Sequence, residues 1–116
     1  MGESAGPLER ASDALKRLDP VLQHRIRLGA LVLLAEVDRM SFSRLRELLA
    51  ATDGNLGAQL RKLEEAGYIS VRKQFVQRRP VSWYALRAAG RRALRVHLGA
   101  MQAIVQGGSS GQPRSR

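Results

Sequence analysis

The chain contains no cysteine and only two histidines, and both shortages exclude classes of protein. Without cysteine there is no disulfide framework, thiolate nucleophile, redox pair or sulfur-bound zinc. His24 and His97 are the only imidazole groups, and neither has further metal-ligand side chains at a recognisable spacing. We therefore predict no metal site and no cofactor.

Long hydrophobic runs and catalytic groupings are also missing. The longest strongly apolar run, 28–35, is far shorter than the roughly 20 residues that cross a bilayer. The N-terminal residues show no basic cluster followed by an apolar run, as a secretory signal would. No nucleophile, base and orienting group stand together, and no paired carboxylates lie in an apolar context. These absences predict a soluble cytoplasmic protein that is not an enzyme.

Acidic residues are scarce in one third of the chain. The 116 residues suit one domain and carry a net charge of +10. Residues 61–95 hold ten basic residues against two acidic ones and account for +8, whereas 1–39 and 40–60 are each neutral. Arginine outnumbers lysine, and its planar guanidinium suits phosphates and base edges. The pattern favours a polyanionic partner, although a membrane surface or a solvated face would also account for it.

Apolar residues at helical spacing, together with capping residues, predict five helices and a small hairpin. Ser43 is a candidate cap for the third helix, Thr52 or Asp53 for the fourth, and Gly67 ends the fourth. The basic segment 77–80 is the predicted tip of the hairpin. The predicted helices are 7–18, 20–37, 43–50, 53–66 and 88–105, with a strand stub at 40–42 and strands over 69–75 and 81–86.

These elements define one mainly α-helical domain, 7–105, with a small β-wing. Residues 1–6 and 106–116 have little to pack and are predicted to be disordered. The apolar faces of the terminal helices and the run 28–35 together overfill the core of so small a monomer. We therefore predict a two-fold dimer built from the terminal helices. The predicted dimerisation residues are Leu8, Leu15, Leu18, Leu94, Leu98, Met101 and Val105.

Single residues outside these stripes have simpler interpretations. His24 and His97 are predicted to be interface or surface residues rather than ligands. Trp83 is out of phase with Tyr84 and Leu86, so it is predicted to be a half-exposed packing residue.

Several segments resemble a known family of regulators. They are Leu45-Arg-Glu-Leu-Leu, Thr52-Asp-Gly-Asn-Leu56, Leu60-Arg-Lys-Leu-Glu-Glu-Ala-Gly-Tyr-Ile69, Arg79-Pro80, Trp83-Tyr-Ala-Leu86 and Gly90-Arg-Arg-Ala-Leu94. Their order and spacing, over about residues 20–98, resemble the winged-helix transcriptional regulators of the MarR, ArsR and PadR type. The resemblance implies a winged helix-turn-helix fold and a homodimer that regulates transcription. It places helix 53–66 in the major groove of duplex DNA and the basic wing 77–80 at the minor groove or phosphates.

The predicted DNA-contacting side chains lie on the face of helix 53–66 opposite its leucines and on the wing. With the leucines buried, a step of about 100° per residue turns the polar residues outward. Asn55 and Gln59 suit adenine, Arg61 suits guanine, and cations elsewhere suit phosphates. The predicted DNA-binding residues are Arg44, Arg46, Asn55, Ala58, Gln59, Arg61, Lys62, Arg72, Lys73, Arg78 and Arg79.

Three functions are open at this point. The first is a sequence-specific regulator, with repression as the expected mode. The second is an architectural or nucleoid-type protein that binds DNA by charge with little base readout, which the small residues Gly54, Gly57 and Ala58 would suit. The third is a winged helix used for protein contacts, against which the +8 segment argues. Sensing of a small molecule at a dimer interface is also open, whereas metal sensing through thiols is excluded.

Overall fold

Over residues 6–109, the domain consists of five helices, a short 3-10 turn and a three-stranded sheet. The computed structural model describes residues 6–109. The elements are α1 (Pro7–Arg17), a 3-10 turn (Pro20–Leu22), α2 (Arg25–Leu34), β1 (Met40–Ser41), α3 (Phe42–Leu49), α4 (Asp53–Glu65), β2 (Ile69–Val76), β3 (Arg79–Leu86) and α5 (Ala88–Ser109). The sheet is antiparallel with strand order β1-β3-β2. The predicted mainly α-helical fold with a small β-wing is confirmed. Within the described residues, no helix has the length and apolar character needed to cross a lipid bilayer.

The second predicted helix, 20–37, is wrong at both ends. Asp19 Oδ1 accepts the Val21 N–H at 2.9 Å and caps a 3-10 turn. The regular helix begins after His24, whose Nδ1 accepts the Ile26 N–H at 3.1 Å. Asp19 and His24 each cap a separate element, so a short 3-10 turn comes before α2 in place of one continuous helix. His24 is thus a helix cap.

Other boundaries also differ from the predicted ones. Ser41, rather than Ser43, caps α3 by accepting the Arg44 N–H at 3.2 Å. The hairpin tip is a two-residue turn, so the rest of the predicted tip 77–80 belongs to the strand β3. Helix α5 continues to Ser109, so the start of the predicted disordered tail is helical. Residues 1–5 and 110–116, also predicted to be disordered, lie outside the described residues.

The core surrounds α2. This helix contacts α3, α4, α5 and β3, which explains why its sequence is apolar on nearly all sides. The predicted leucine stripe of α4 is buried against it. At Gly29 the approach is so close that a Cβ would lie 2.6 Å from Leu49 Cδ2. The fully buried large side chains are Leu22, Ile26, Leu31, Leu34, Leu45, Leu56, Leu60, Leu63 and Ile69.

Helix α1 packs along α5 at the edge of this core, with Ala14 buried between them. Leu94, predicted to lie in a dimer interface, is only 6% exposed and belongs to the monomer core. Leu18 is half-buried. The predicted stripe follows the helical period, but Leu94, at its start on α5, packs into the core of the domain instead of lying on the outer surface.

Asp19, two residues after α1, makes hydrogen bonds to α5 and to Tyr68, the residue before β2. Its backbone N–H donates to His97 Nδ1 at 2.9 Å, and its Oδ2 accepts the Tyr68 hydroxyl at 2.5 Å. The Tyr68 carbonyl in turn accepts the Arg87 N–H at 2.9 Å, just before α5 begins. His97 is 2% exposed, so its predicted position at a surface or interface is wrong. A buried imidazole needs a partner, and Asp19 provides one.

The Tyr68 hydroxyl makes stability depend on pH in the alkaline range. Its hydrogen bond to Asp19, with burial adding to the effect, raises the pKa of Tyr68 to about 12. The folded state therefore favours the neutral phenol, and this stabilisation is complete below pH of about 10 and lost as the pH rises toward about 12. Tyr68→Phe should lower the free energy of unfolding by about 1 to 2 kcal/mol at pH 7. It should also flatten the loss of stability above pH of about 10. Urea unfolding over a pH series measures both; equal slopes for the two proteins would contradict the assignment.

Gly90 is required by the close approach of α5 to Tyr68. A Cβ at Gly90 would lie 2.2 Å from the Tyr68 carbonyl oxygen and 2.9 Å from Leu86 Cδ1. Gly90→Ala should therefore destabilise the fold by about 2 kcal/mol or more. Gly99→Ala on the same helix meets open space and should stabilise it by about 0.5 to 1 kcal/mol. Thermal unfolding of the two variants should shift the midpoint in opposite directions, and shifts of the same sign would refute this account.

Candidate nucleic-acid interface

Helices α3 and α4 form a helix-turn-helix whose turn is fixed by backbone and side-chain contacts. Ala50 ends α3 in the left-handed conformation, with φ of 51°. The Arg25 guanidinium donates to the Leu49 carbonyl at 2.9 Å and satisfies one group at this helix end. Of the two predicted caps of α4, Thr52 is the one used, since its Oγ1 accepts the Asn55 N–H at 3.2 Å. The turn therefore holds the start of α4 at the protein surface.

The outer face of α4 carries the residues that the sequence predicted there. Asn55, Arg61 and Lys62 are exposed, while Ala58 and Gln59 are half-buried. Gly54 and Gly57 have open space where a Cβ would be, so the backbone of α4 is accessible from this side. This face combines small residues near the helix start with cations further along.

Asn55 and Gln59 act as a joined pair rather than as two separate side chains. Gln59 Nε2 donates to Asn55 Oδ1 at 3.1 Å, one turn apart on α4. Gln59 Oε1 is buried, with no hydrogen-bond partner among the described residues. The sequence predicted both amides as contacts to adenine, which needs a free amide edge. In this arrangement Asn55 keeps its own N–H donors, while Gln59 must rotate before it can contact a base.

The pleat of the wing separates the basic residues of β2 onto two faces. Lys73 pairs with Ser82 in the register, on the face that turns toward α4. A cleft of about 440 Å³ lies between that face and α4, and Arg61 and Glu64 line it from the helix side. Lys73 and Arg61 thus border the same cleft from two elements. A negatively charged nucleic-acid strand in this cleft would meet a cation on each wall.

Arg72 lies on the opposite face of the sheet, next to the chain's one tryptophan. Its register partner is Trp83, and the Arg39 guanidinium lies 4.3 Å from the centroid of the Trp83 ring. Asp38 and Ser70 line the same outer cleft, of about 290 Å³. Arg72 and Lys73, predicted together as phosphate contacts, therefore do not share a surface. Trp83 is half-buried and out of phase with the buried Tyr84, in line with its predicted packing role.

The two arginines of α3 are held by carboxylates in this structure. Arg44 pairs with Glu47, and Arg46 Nη1 lies 2.6 Å from Asp53 Oδ1 at the start of α4. All four side chains are largely exposed, so each pair contributes at most about 1 kcal/mol. Phosphate oxygens can replace such carboxylates at little cost. These two arginines thus lie beside the helix-turn-helix and can exchange their carboxylate partners for phosphates.

The tip of the wing consists of a tight turn that presents two arginines. Gln77 and Arg78 have φ of 51° and 67°, the signs that a type I′ hairpin turn requires. Arg78 and Arg79 are exposed. Both guanidiniums therefore extend from the point of the wing that is farthest from the core.

Phe75 is the feature of this surface that the sequence did not reveal. The period of two along β2 puts Phe75 on the same face as Ile69 and Val71, yet its side chain is 78% exposed. The wing extends past the end of the core, so the inward-facing period continues where there is nothing left to cover it. Its position two residues before the basic tip 77–80 was the available signal.

Comparisons with known proteins agree with this geometry. A family described as winged helix DNA-binding domain matches residues 26–105. An uncharacterised protein of Methanocaldococcus jannaschii is 33% identical over 73 residues, which cover 63% of this chain and 79% of that protein. A transcriptional regulator homologue from Pyrococcus horikoshii has a similar structure, with a TM-score of 0.74, 25% identity, and coverage of 85% of this chain and 96% of that one.

A third relative was solved with DNA. Sco3205, a MarR family transcriptional regulator from Streptomyces coelicolor in complex with DNA, has a TM-score of 0.58 and 26% identity, over 86% of this chain and 67% of that one. The family match spans most of the chain and includes the helix-turn-helix, the wing and most of α5. The chain therefore belongs to the family of winged helix DNA-binding domains.

Proposed function

We propose that this protein regulates transcription by binding a specific duplex sequence, with α4 in the major groove and the wing at the adjacent minor groove. The observation that carries the proposal is the cleft bounded by α4 and the inner face of the wing, with Arg61 on one wall and Lys73 on the other. The related structures described as transcriptional regulators, one of them in complex with DNA, support it. Binding to DNA is sufficient for this regulatory role, so we infer that the protein is not an enzyme. We also infer that it acts where the chromosome lies, which in a bacterial or archaeal cell is the cytoplasm.

The start of α4 suits a close approach to base edges. The major groove is about 12 Å wide and admits one helix. Gly54 and Gly57 leave room for the DNA backbone to come near, and Asn55 offers donors at the same end of the helix. Arg61, one and a half turns further along, is placed for a guanine edge. Sequence preference therefore rests on two side chains, with Gln59 joining when its bond to Asn55 breaks.

Phosphate contacts come from the surrounding cations. Lys62 flanks the recognition face, Lys73 lies across the cleft, and Arg44 and Arg46 exchange their carboxylate partners for phosphates. Arg78 and Arg79 at the wing tip suit the minor groove, whose negative potential attracts arginine where it is narrow. We propose repression as the mode, because occupying a promoter is sufficient to exclude polymerase.

A second proposal concerns assembly through the terminal helices. Leu8 and Leu15 on α1, and Leu98 and Met101 on α5, are exposed apolar residues, as is Val105 near the end of α5. By helical period they lie on the side of the helix pair away from the polar groove lined by Arg10, Asp13, Arg17, Ala103 and Gln106. An extended apolar surface of this kind is typical of an interface. We infer a two-fold dimer with recognition helices about one turn of DNA apart.

The DNA-binding proposal is tested by binding to a duplex selected from a random pool. Arg61→Ala should weaken binding to the selected duplex by about 10- to 100-fold and relax the preference at one base pair, because a bidentate contact is lost. Lys62→Ala should weaken binding to all duplexes equally and reduce the salt slope by about one, because one phosphate contact is lost. Arg95→Ala, an exposed arginine on α5, removes the same charge away from the cleft and should change little.

The same assay separates regulation from architecture. A sequence-specific protein should prefer the selected duplex over random duplexes by at least about 1000-fold at physiological salt. Equal affinity for both, falling steeply with salt, would favour the architectural alternative that the small residues of α4 suit.

The dimer is tested by mass in solution. The intact protein should elute as a dimer at micromolar concentration in size-exclusion chromatography with light scattering, and Leu98→Glu with Met101→Glu should make it a monomer. Val96→Glu is the control, since Val96 is also exposed on α5 but lies on another side of the helix. A monomeric unmodified protein would contradict the proposal.

A further inference from the structure

The exposed Phe75 has a cross-strand partner that is also apolar. Pro80 stands directly opposite Phe75 in the register, and both side chains are exposed. Because directly paired residues share one face of a sheet, the ring of Phe75 and the ring of Pro80 form one apolar ridge near the end of the wing. Single exposed apolar residues are common on protein surfaces. An exposed phenylalanine paired with a proline near the tip of a basic hairpin is less common, because together they form a defined apolar projection.

The ridge is on the face that borders the cleft with α4. Lys73 is two residues before Phe75 on β2, and Ser82 is two residues after Pro80 on β3, so all four side chains point to one side. Lys73 and Ser82 line the cleft with α4, and the ridge continues that wall by about 7 Å further from the core. DNA that occupied the cleft would therefore run past the ridge.

Cations flank the ridge. Lys73 precedes Phe75 on the same face of the sheet, and Arg78 stands in the turn between Phe75 and Pro80, whereas Arg79 pairs with Val76 on the other face. Two positive charges beside one apolar ridge suit DNA, in which apolar base pairs lie behind a row of phosphates. The tight turn and the eight-residue pairing of β2 with β3 hold the ridge rigidly.

We propose that Phe75 and Pro80 form an apolar wedge that enters the minor groove beside the recognition sequence and partly unstacks one base step, bending the duplex. Apolar side chains inserted from the minor groove unstack a step and kink DNA by about 20 to 90°. The inference rests on the proposed function and adds to it a preference that needs no base-edge contact. The step that the wedge enters should be a flexible pyrimidine-purine step, because that step costs least to unstack.

The experiment uses the full chain and the selected duplex, labelled in two ways. One duplex carries donor and acceptor dyes at its ends and reports bending by energy transfer; the other carries 2-aminopurine at the flanking steps and brightens on unstacking. The unmodified protein should bend the first duplex and brighten the second at one flanking step. Phe75→Ala should abolish the brightening, reduce the bend and weaken binding by about tenfold, whereas Phe75→Leu should retain part of each effect.

Val76→Ala is the matched control. Val76 is also an exposed apolar residue of the wing, but it pairs with Arg79 on the opposite face of the sheet, and its loss should leave the bend and the fluorescence unchanged. If Phe75→Ala binds, bends and brightens the duplex as the unmodified protein does, the wedge is refuted while sequence-specific binding stands. If the unmodified protein shows no preference for any duplex, the proposed function fails and the wedge fails with it.

Discussion

The arrangement of this domain depends on the hydrogen bonds made by Asp19. Its carboxylate caps the 3-10 turn and accepts the Tyr68 hydroxyl, while its backbone N–H donates to the buried His97. Three segments far apart in sequence are thus joined at one residue. Tyr68 lies three residues after the end of α4, and its carbonyl accepts the N–H of Arg87, which precedes α5. The position of the recognition helix relative to the terminal helices is therefore set by polar contacts as well as by leucine packing.

The same network joins the candidate DNA-binding surface and the proposed dimer surface to one frame. The end of α4, the start of the wing and the first turns of α5 meet at Tyr68 and Gly90, where there is no room for even one added methyl group. A change in how α1 and α5 pack would be transmitted to α4 through this point rather than absorbed. The wing, which leaves the frame after Ile69, is free of such constraints beyond its first residues.

Much of the fold could be predicted from the sequence because its signals are local. The leucines of α4 repeat at the helical period, Thr52 is one of two adjacent caps, and Gly67 takes the positive φ expected after a helix. The second helix was wrong because Asp19 and His24 are both good caps, and sequence alone does not say that both are used. His97 and Leu94 were misplaced because the helical period gives a direction on α5 but not what lies in that direction.

The candidate site divides in the same way. The helical period predicted that Asn55, Arg61 and Lys62 are exposed, because which way a side chain faces on α4 depends only on its position along that helix. The bond between Gln59 and Asn55, the ion pairs of Arg44 and Arg46, and the exposure of Phe75 depend on rotamers and on where the core ends. Arg72 and Lys73 were grouped by charge, although the pleat of a strand sends neighbours to opposite faces. The period of two of a β-strand can be read from the sequence, and it places Arg72 and Lys73 on opposite faces of the sheet.

The turn at the wing tip has a consequence for how the protein meets its target. Gln77 and Arg78 both adopt the left-handed conformation without being glycine, at a cost of roughly 1 to 2 kcal/mol each. The eight residue pairs of β2 and β3 below the turn offset that cost and hold the turn in this conformation. The cost is therefore met when the protein folds and does not have to be met again when DNA binds. Arg78 and Arg79 would then meet DNA on a backbone that is already in place, so only their side chains lose conformational freedom on binding.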